Sequence, residues 1–249
     1  MIAPLKTFFV LGCFCLLLMP GTGFGAQNWL DQGKKALQTL TSQDSGQALS
    51  SETINDGLKE ALRVGTARVV DQLGQAGGFF NNPDIHIPLP DSMNTVQSAL
   101  AKVGASGMLD DLELKLNQAA ERATPKAKDM FWQAISEMTL DDVQAIYNGP
   151  DDAATRYFQE KMSAPLALEM QPVIENTLSE VGAVRTYDHI MDRYTAIPFV
   201  PDVKADLVSY TVDNSLGGLF SVLAQEETAI RTNPGKRTSD LLKKVFGQN

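Results

Sequence analysis

The chain has 249 residues, of which 43% are hydrophobic and 20% charged, and its formal net charge is −9. A chain of this size can bury about 70% of its unfolded surface, so a stable core needs neither metal nor disulfide. The negative balance argues against nucleic acid and against general adhesion to anionic lipid.

At the N-terminus, Lys6 precedes an apolar run from Phe8 to Met19, followed by the breakers Pro20 and Gly21 and the small-residue exit Gly23-Phe24-Gly25-Ala26. This is the pattern of a secretory signal peptide over residues 1–25. The run is about a dozen residues long, short of the roughly 20 that a spanning helix needs. Cleavage after Gly25 is expected, because it puts small residues at both recognition positions. A lipid anchor at Cys13 is not expected, since the apolar run continues through Leu16, Leu17 and Leu18 beyond it. Both cysteines, Cys13 and Cys15, lie inside the leader. The exported chain would then carry no disulfide, no thiolate site and no transmembrane segment, which suits the periplasm of a Gram-negative bacterium.

Residues 26–49 read as a flexible N-terminal segment, with an amphipathic helix at Trp29–Leu40 and a polar link from Thr41 to Ser50. From residue 50 to 249 the pattern predicts one all-α domain of antiparallel helices joined by short loops. Ser50 caps a helix to Leu73, with Ile54, Leu58, Ala61, Leu62, Gly65, Val69 and Leu73 inward and Leu49 stapled to Ile54. Gly74–Pro90 holds three prolines and three glycines and reads as irregular. Its Phe79, Phe80, Ile85, Ile87 and Leu89 supply apolar surface to lie against the helices. Asp91 is expected to cap a helix with Met93, Val96, Leu100 and Val103 inward, ending at Gly104. A helix from about Met108 buries Leu109, Leu112, Leu116, Ala119, Ala120 and Ala123.

Thr124-Pro125 reads as an N-cap with proline at the first helical position, opening a helix packed through Ala127, Phe131, Ala134, Ile135 and Met138. Thr139, with Asp142 three residues on, begins a short helix that Asn148-Gly149 stops. Asp151 restarts the chain into Ala154, Tyr157, Phe158 and Met162. A separate helix is expected from Ser163 and Pro165, bent at Pro172 and running to Gly182. Val184, Tyr187, Ile190, Met191 and Tyr194 line the next one. After the apolar link Ile197–Pro201, Asp202 caps a helix with Leu207, Tyr210, Leu216, Leu219, Phe220, Leu223 and Ile230 inward. Thr238 then caps a terminal helix that buries Leu241, Leu242, Val245 and Phe246.

Several phrases occur together: Gly57-Leu58-Lys59-Glu60-Ala61-Leu62, Ile87-Pro88-Leu89-Pro90, Asn117-Gln118-Ala119-Ala120-Glu121, Asp152-Ala153-Ala154-Thr155-Arg156-Tyr157-Phe158, Gly218-Leu219-Phe220, and Glu226-Glu227 followed by Ile230-Arg231 and Asn233-Pro234. In this order, over residues 50–247, the chain resembles the bacterial envelope family catalogued as domain of unknown function 4197. The resemblance implies an exported helical protein and brings no agreed activity. His86 stands where it would lead one to expect a basic residue before Ile-Pro-Leu-Pro.

Chemistry-bearing patterns are sparse. His86 and His189 are the only histidines, and although His189 and Asp192 share a helix side, a metal site wants more nitrogen ligands. No metal and no cofactor is expected, and no catalytic residue is assigned. The pairs Asp141-Asp142 and Asp151-Asp152 fall in first helical turns, where negative charge favours the helix dipole. Asn233–Thr238 lacks the first glycine and the strand of a phosphate loop. The candidate polar cluster, with a structural or a ligand role, is Asn117, Glu121, Tyr157, Glu226, Glu227, Arg231 and Arg237. Within it Arg231 has three possible partners: Glu227 at i, i+4, Glu121, or carbonyls at a helix end.

The sequence therefore points to a non-enzymatic binding module. Its apolar irregular segments, Gly74–Pro90 and Ile197–Pro201, form a groove for an envelope protein partner. The alternative is a carrier of an apolar or lipid-like ligand, with Tyr157, Phe158, Tyr187 or Tyr194 at its mouth. A second alternative is an enzyme using carboxylates with Arg231.

Overall fold

A computed structural model describes residues 50–198, 206–237, 243 and 245–247. All regular structure among them is helical. The α-helices are α1 (Ser51–Leu73), α2 (Asn94–Lys102), α3 (Gly107–Ala123), α4 (Ala127–Glu137), α5 (Leu140–Tyr147), α6 (Ala153–Glu180), α7 (Ala183–Thr195) and α8 (Leu207–Thr232). Short 3-10 turns at Asp91–Met93, Thr124–Lys126 and Pro234–Lys236 join or follow them. The leader 1–25, the segment 26–49, residues 199–201 of the apolar link expected to form a groove with Gly74–Pro90, Asp202, Thr238, Leu241 and Leu242 lie outside the described residues.

The helices form where apolar spacing and caps coincide. Ser50 Oγ accepts the Thr53 amide at 3.1 Å and opens α1. Leu58, Ala61, Leu62, Val69 and Leu73 on one side of α1 are buried. The longest mutual packing is α6 against α8, with α3 on α6 and α1 on α4 and α8 around it. Phe131 of α4 sits at the centre, meeting Phe158 edge-on at 5.3 Å and Phe220 at 6.4 Å between ring centroids. Such edge-to-face pairs add to the simple burial of area.

The irregular segment is structural. Phe79 and Ile87 are completely buried, and both they and Ile85 belong to the main core. Gly218 of α8 makes this possible: a Cβ there would meet Phe79 Cε1 at 2.8 Å and Ile85 Cβ at 3.2 Å. Gly182, at φ 77, turns the chain from α6 into α7 in a conformation most residues avoid.

Several expectations are corrected. The residues 153–180 form one helix of 28 residues, with Pro165 and Pro172 inside it and no new start at Ser163. Ser163 instead donates its hydroxyl to the Gln159 carbonyl at 2.6 Å. Both prolines are exposed and seven residues apart, so they share the solvent side of the helix. The carbonyls deprived of a donor belong to Lys161 and Leu168, also exposed, where water can serve them. Burial of Phe158, Met162, Leu166, Met170, Ile174 and Leu178, each four residues after the last, holds the helix straight through. Thr124 does not cap α4; its hydroxyl donates back to Ala120 O at 2.8 Å while the chain passes from α3 to α4 through a 3-10 turn. Asp91 makes no capping bond. Val103, at 62% exposure, and Val184, at 50%, face outward. Asp206 provides the cap of α8, accepting the Ser209 amide at 3.0 Å.

Candidate functional site

Three of the charged residues singled out by sequence meet at helix ends. Glu227 of α8 is buried at the start of α6, where no bond from Asp152 caps the helix. Its Oε1 accepts the Ala154 amide at 2.9 Å, and its Oε2 accepts the Thr155 amide and hydroxyl, each at 2.9 Å. A side chain remote in sequence thus performs the capping that a neighbouring Asp or Ser performs elsewhere. One turn on, Arg231 donates from Nε and Nη2 to Glu227 Oε1 at 3.2 and 3.0 Å. The same guanidinium donates to Ile146 O at 2.8 Å and Tyr147 O at 3.5 Å, the last carbonyls of α5. Two of the three partners open to Arg231 are therefore used together; Glu121 is not among them. Arg237 closes α8 itself, donating to Ile230 O at 3.1 Å and Arg231 O at 2.8 Å. Glu226 faces away to α1 and accepts from Arg68 at 2.8 Å and from Lys236 at 3.4 Å.

A second set fixes the irregular segment against α3. Asn117, fully buried, accepts the Ile87 amide at 2.9 Å and donates to Ile87 O at 2.8 Å and Glu113 O at 2.9 Å. Its side-chain amide thereby satisfies both the N–H and the C=O of Ile87. Glu121 Oε1 accepts the amides of Phe79 at 3.1 Å and Phe80 at 3.2 Å. Glu113 accepts from Leu89 N at 3.3 Å and stands 2.8 Å from His86 Nε2, while His86 Nδ1 lies 2.9 Å from Phe80 O. Tyr210 of α8 donates to Pro88 O at 3.0 Å; burial first, then the charges of Asp91 and Glu113, raise its hydroxyl above its ordinary 10.0. Glu113 was not singled out in the sequence, and Tyr210 was read only as an inward-facing residue of its helix. The available signal was spacing: Glu113, Asn117 and Glu121 recur every four residues and share one side of α3.

Comparison with known families gives a match to the one described as protein of unknown function (DUF4197), over residues 48–247. The chain belongs to this family. No curated protein and no solved structure matches it. In this DUF4197 domain the phrases read from the sequence lie on both sides of the two networks just described. Asn117 and Glu121 grip the segment that contains Ile87-Pro88-Leu89-Pro90, and Glu227 grips the amides of Ala154 and Thr155.

Tyr157 belongs to neither set. It lies half-buried between α4 and α6, in a groove of about 350 Å³ with Met130, Gln133, Ala134, Glu137, Lys161 and Met162. Burial, followed by the charge and hydrogen bond of Asp142, pushes its hydroxyl above 10.0. Phe158 and Tyr194 are wholly buried in the core, Phe158 against the small cavity beside Glu227. His189 and Asp192 are exposed. Among the described residues, no three His, Cys, Asp or Glu side chains gather as metal ligands, and no helix is long and apolar enough to cross a membrane.

Two spaces remain of interest. Between α1, α6 and α8, beside Glu227 and under Phe246, there is a cavity of about 20 Å³. On the outside, an open cleft of about 470 Å³ separates the 74–81 turn from α3, lined by Gly74, Ala76, Gly77, Phe80, Asn81, Leu114, Gln118, Glu121 and Arg122.

Proposed function

We propose that this DUF4197 domain is an exported, non-enzymatic binding module of the bacterial envelope, and that the cleft beside the 74–81 turn is its contact surface. One observation carries the reading. Buried Asn117 and Glu121 pin a segment of successive turns to α3 by its backbone, and Phe80, so positioned, and its neighbour Asn81 stay exposed on the rim of the cleft. Fixing a loop in advance removes ordering cost from a later association.

The competing readings have less to rest on. A carrier of a lipid-like molecule needs an enclosed apolar space, and a benzene-sized guest already calls for about 150 Å³; the cavity beside Glu227 is about 20 Å³. An enzyme built on Glu226, Glu227 and Arg231 needs those groups to be free for substrate, whereas each is engaged with helix ends or with a cation.

The export part of the proposal rests on the leader pattern in residues 1–25. For the contact surface, a photoreactive amino acid at Phe80, compared with one at exposed Glu169 on α6, supplies the test in the native host. Adducts of defined mass are expected from position 80 and not from 169. Equal or absent labelling at the two positions would remove the cleft from consideration.

A further inference from the structure

From the cleft's chemistry we infer that its ligand carries a cation on an aliphatic stem, a guanidinium or primary ammonium group. The inference rests on the binding-module reading above and names what the module recognises. Glu121 is only 5% exposed, and both amides that it holds end on the same oxygen, Oε1. No fully buried side-chain oxygen among the described residues lacks a partner. Oε2 receives no hydrogen bond from them, so it must be open to solvent, and the cleft is the space that Glu121 borders. A carboxylate oxygen buried on its own side chain's other faces and unengaged toward a cleft has acceptor capacity to spare. A charged donor is its natural complement, since such hydrogen bonds are about twice as strong as neutral ones.

The rest of the lining fits the same guest. The partly exposed Phe80, whose ring packs at 5.3 Å and 55° against His86, lines the cleft, and a cation beside an aromatic ring gains further. Leu114 and Ala76 offer apolar surface for methylene groups, and the Asn81 and Gln118 amides can accept remaining N–H donors. The one cation in the lining, Arg122, pairs with Glu180 at 3.3 Å in a solvent-exposed contact. The formal net charge of −9 favours approach of a positive ligand.

The test titrates purified protein with n-butylguanidinium and its neutral isostere n-butylurea, followed by backbone amide NMR. Saturable shifts are expected at residues 76–81 and 118–122, with butylurea weaker by about tenfold or more. Glu121→Gln keeps an oxygen for the Phe79 and Phe80 amides but removes the charge, so it should abolish the difference between the two probes while leaving spectra of α6 unchanged. Phe80→Leu should weaken the cation alone, by about two- to fivefold. An N-acetyl-Gly-Arg-Gly-amide peptide separates the sources: tighter binding than the free guanidinium indicates a partner's side chain, equal binding a small molecule. Equal binding of cation and urea, or a Glu121→Gln protein that binds the cation as well as wild type, overturns the cationic inference yet leaves the cleft as a binding surface. A cleft silent to all three probes also overturns it, and labelling at position 80 then decides separately whether the module reading survives.

Discussion

Replacing Glu227 by Ala is the sharpest perturbation of this fold, because one carboxylate serves two helices at once. The change leaves the Ala154 and Thr155 amides at the start of α6 without an acceptor, a loss comparable to removing a helix cap, about 1–2 kcal/mol. It also leaves the Arg231 guanidinium, whose side chain is 10% exposed, without its counter-charge. Breaking a buried pair by deleting one member typically costs about 3–5 kcal/mol. Both losses involve the same two oxygens and overlap, so the expected total is about 3–5 kcal/mol, a large share of the about 5–15 kcal/mol that holds a domain together. Urea unfolding monitored by circular dichroism measures it. Glu227→Gln retains an acceptor but no charge and should fall between wild type and Ala. Arg231→Met combined with Glu227→Ala should be less damaging than the two single changes added, by about 1 kcal/mol or more, since the orphaned cation is gone. A Glu227→Ala protein within about 1 kcal/mol of wild type, or strict additivity in the double variant, would falsify the account of Glu227 as the joint cap of α6 and anchor of Arg231.

Asn117→Ala should cost about 2–3 kcal/mol, since it strands the Ile87 backbone in the interior; hydrogen exchange should quicken at the Ile87 amide before it does in α6. Pro165→Ala should raise stability by about 1 kcal/mol or more, because the proline sits inside a continuous exposed helix turn; a neutral or negative shift in the urea midpoint would indicate a chain break there. Thr139 donates its hydroxyl, and then its amide, to Asp142 and holds that carboxyl below its ordinary 3.8. A depressed folded value contributes stability above 3.8 that is lost as pH falls below it, so Asp142→Asn should flatten the acid limb of the stability curve and leave it parallel to wild type near neutrality. Finally, protein recovered from the periplasmic fraction should begin at Ala26; an unprocessed N-terminus in the cytoplasm would remove the export proposal.

Much of the fold was legible because its physics is local. The Ser50 and Thr139 caps need residues three apart, and the buried stripes of α1 and α3 need only helical spacing. Where reading failed, a local signal was outweighed. Pro165 and Pro172 suggest helix ends, yet the four-residue stripe from Phe158 to Leu178 gains more by staying in one helix on the core, with the prolines on the wet side. Val103 and Val184 continue their apolar stripes on paper but fall where nothing packs over them.

The candidate site divided in the same way. Charge and spacing marked Glu226, Glu227, Arg231 and Arg237, while Asn117, Glu121 and Tyr157 stood out through the phrases that carry the family resemblance. Which of them meet depends on chain segments dozens of residues apart: Glu227 with Ala154, Arg231 with Ile146, Asn117 with Ile87. Amino-acid order alone settled the helical class and most of the buried positions, since periodicity is written along one strand of text. Tertiary packing decided which polar groups become helix caps and which hold the 79–87 backbone, because a hydrogen bond is satisfied by whatever lies nearest in space.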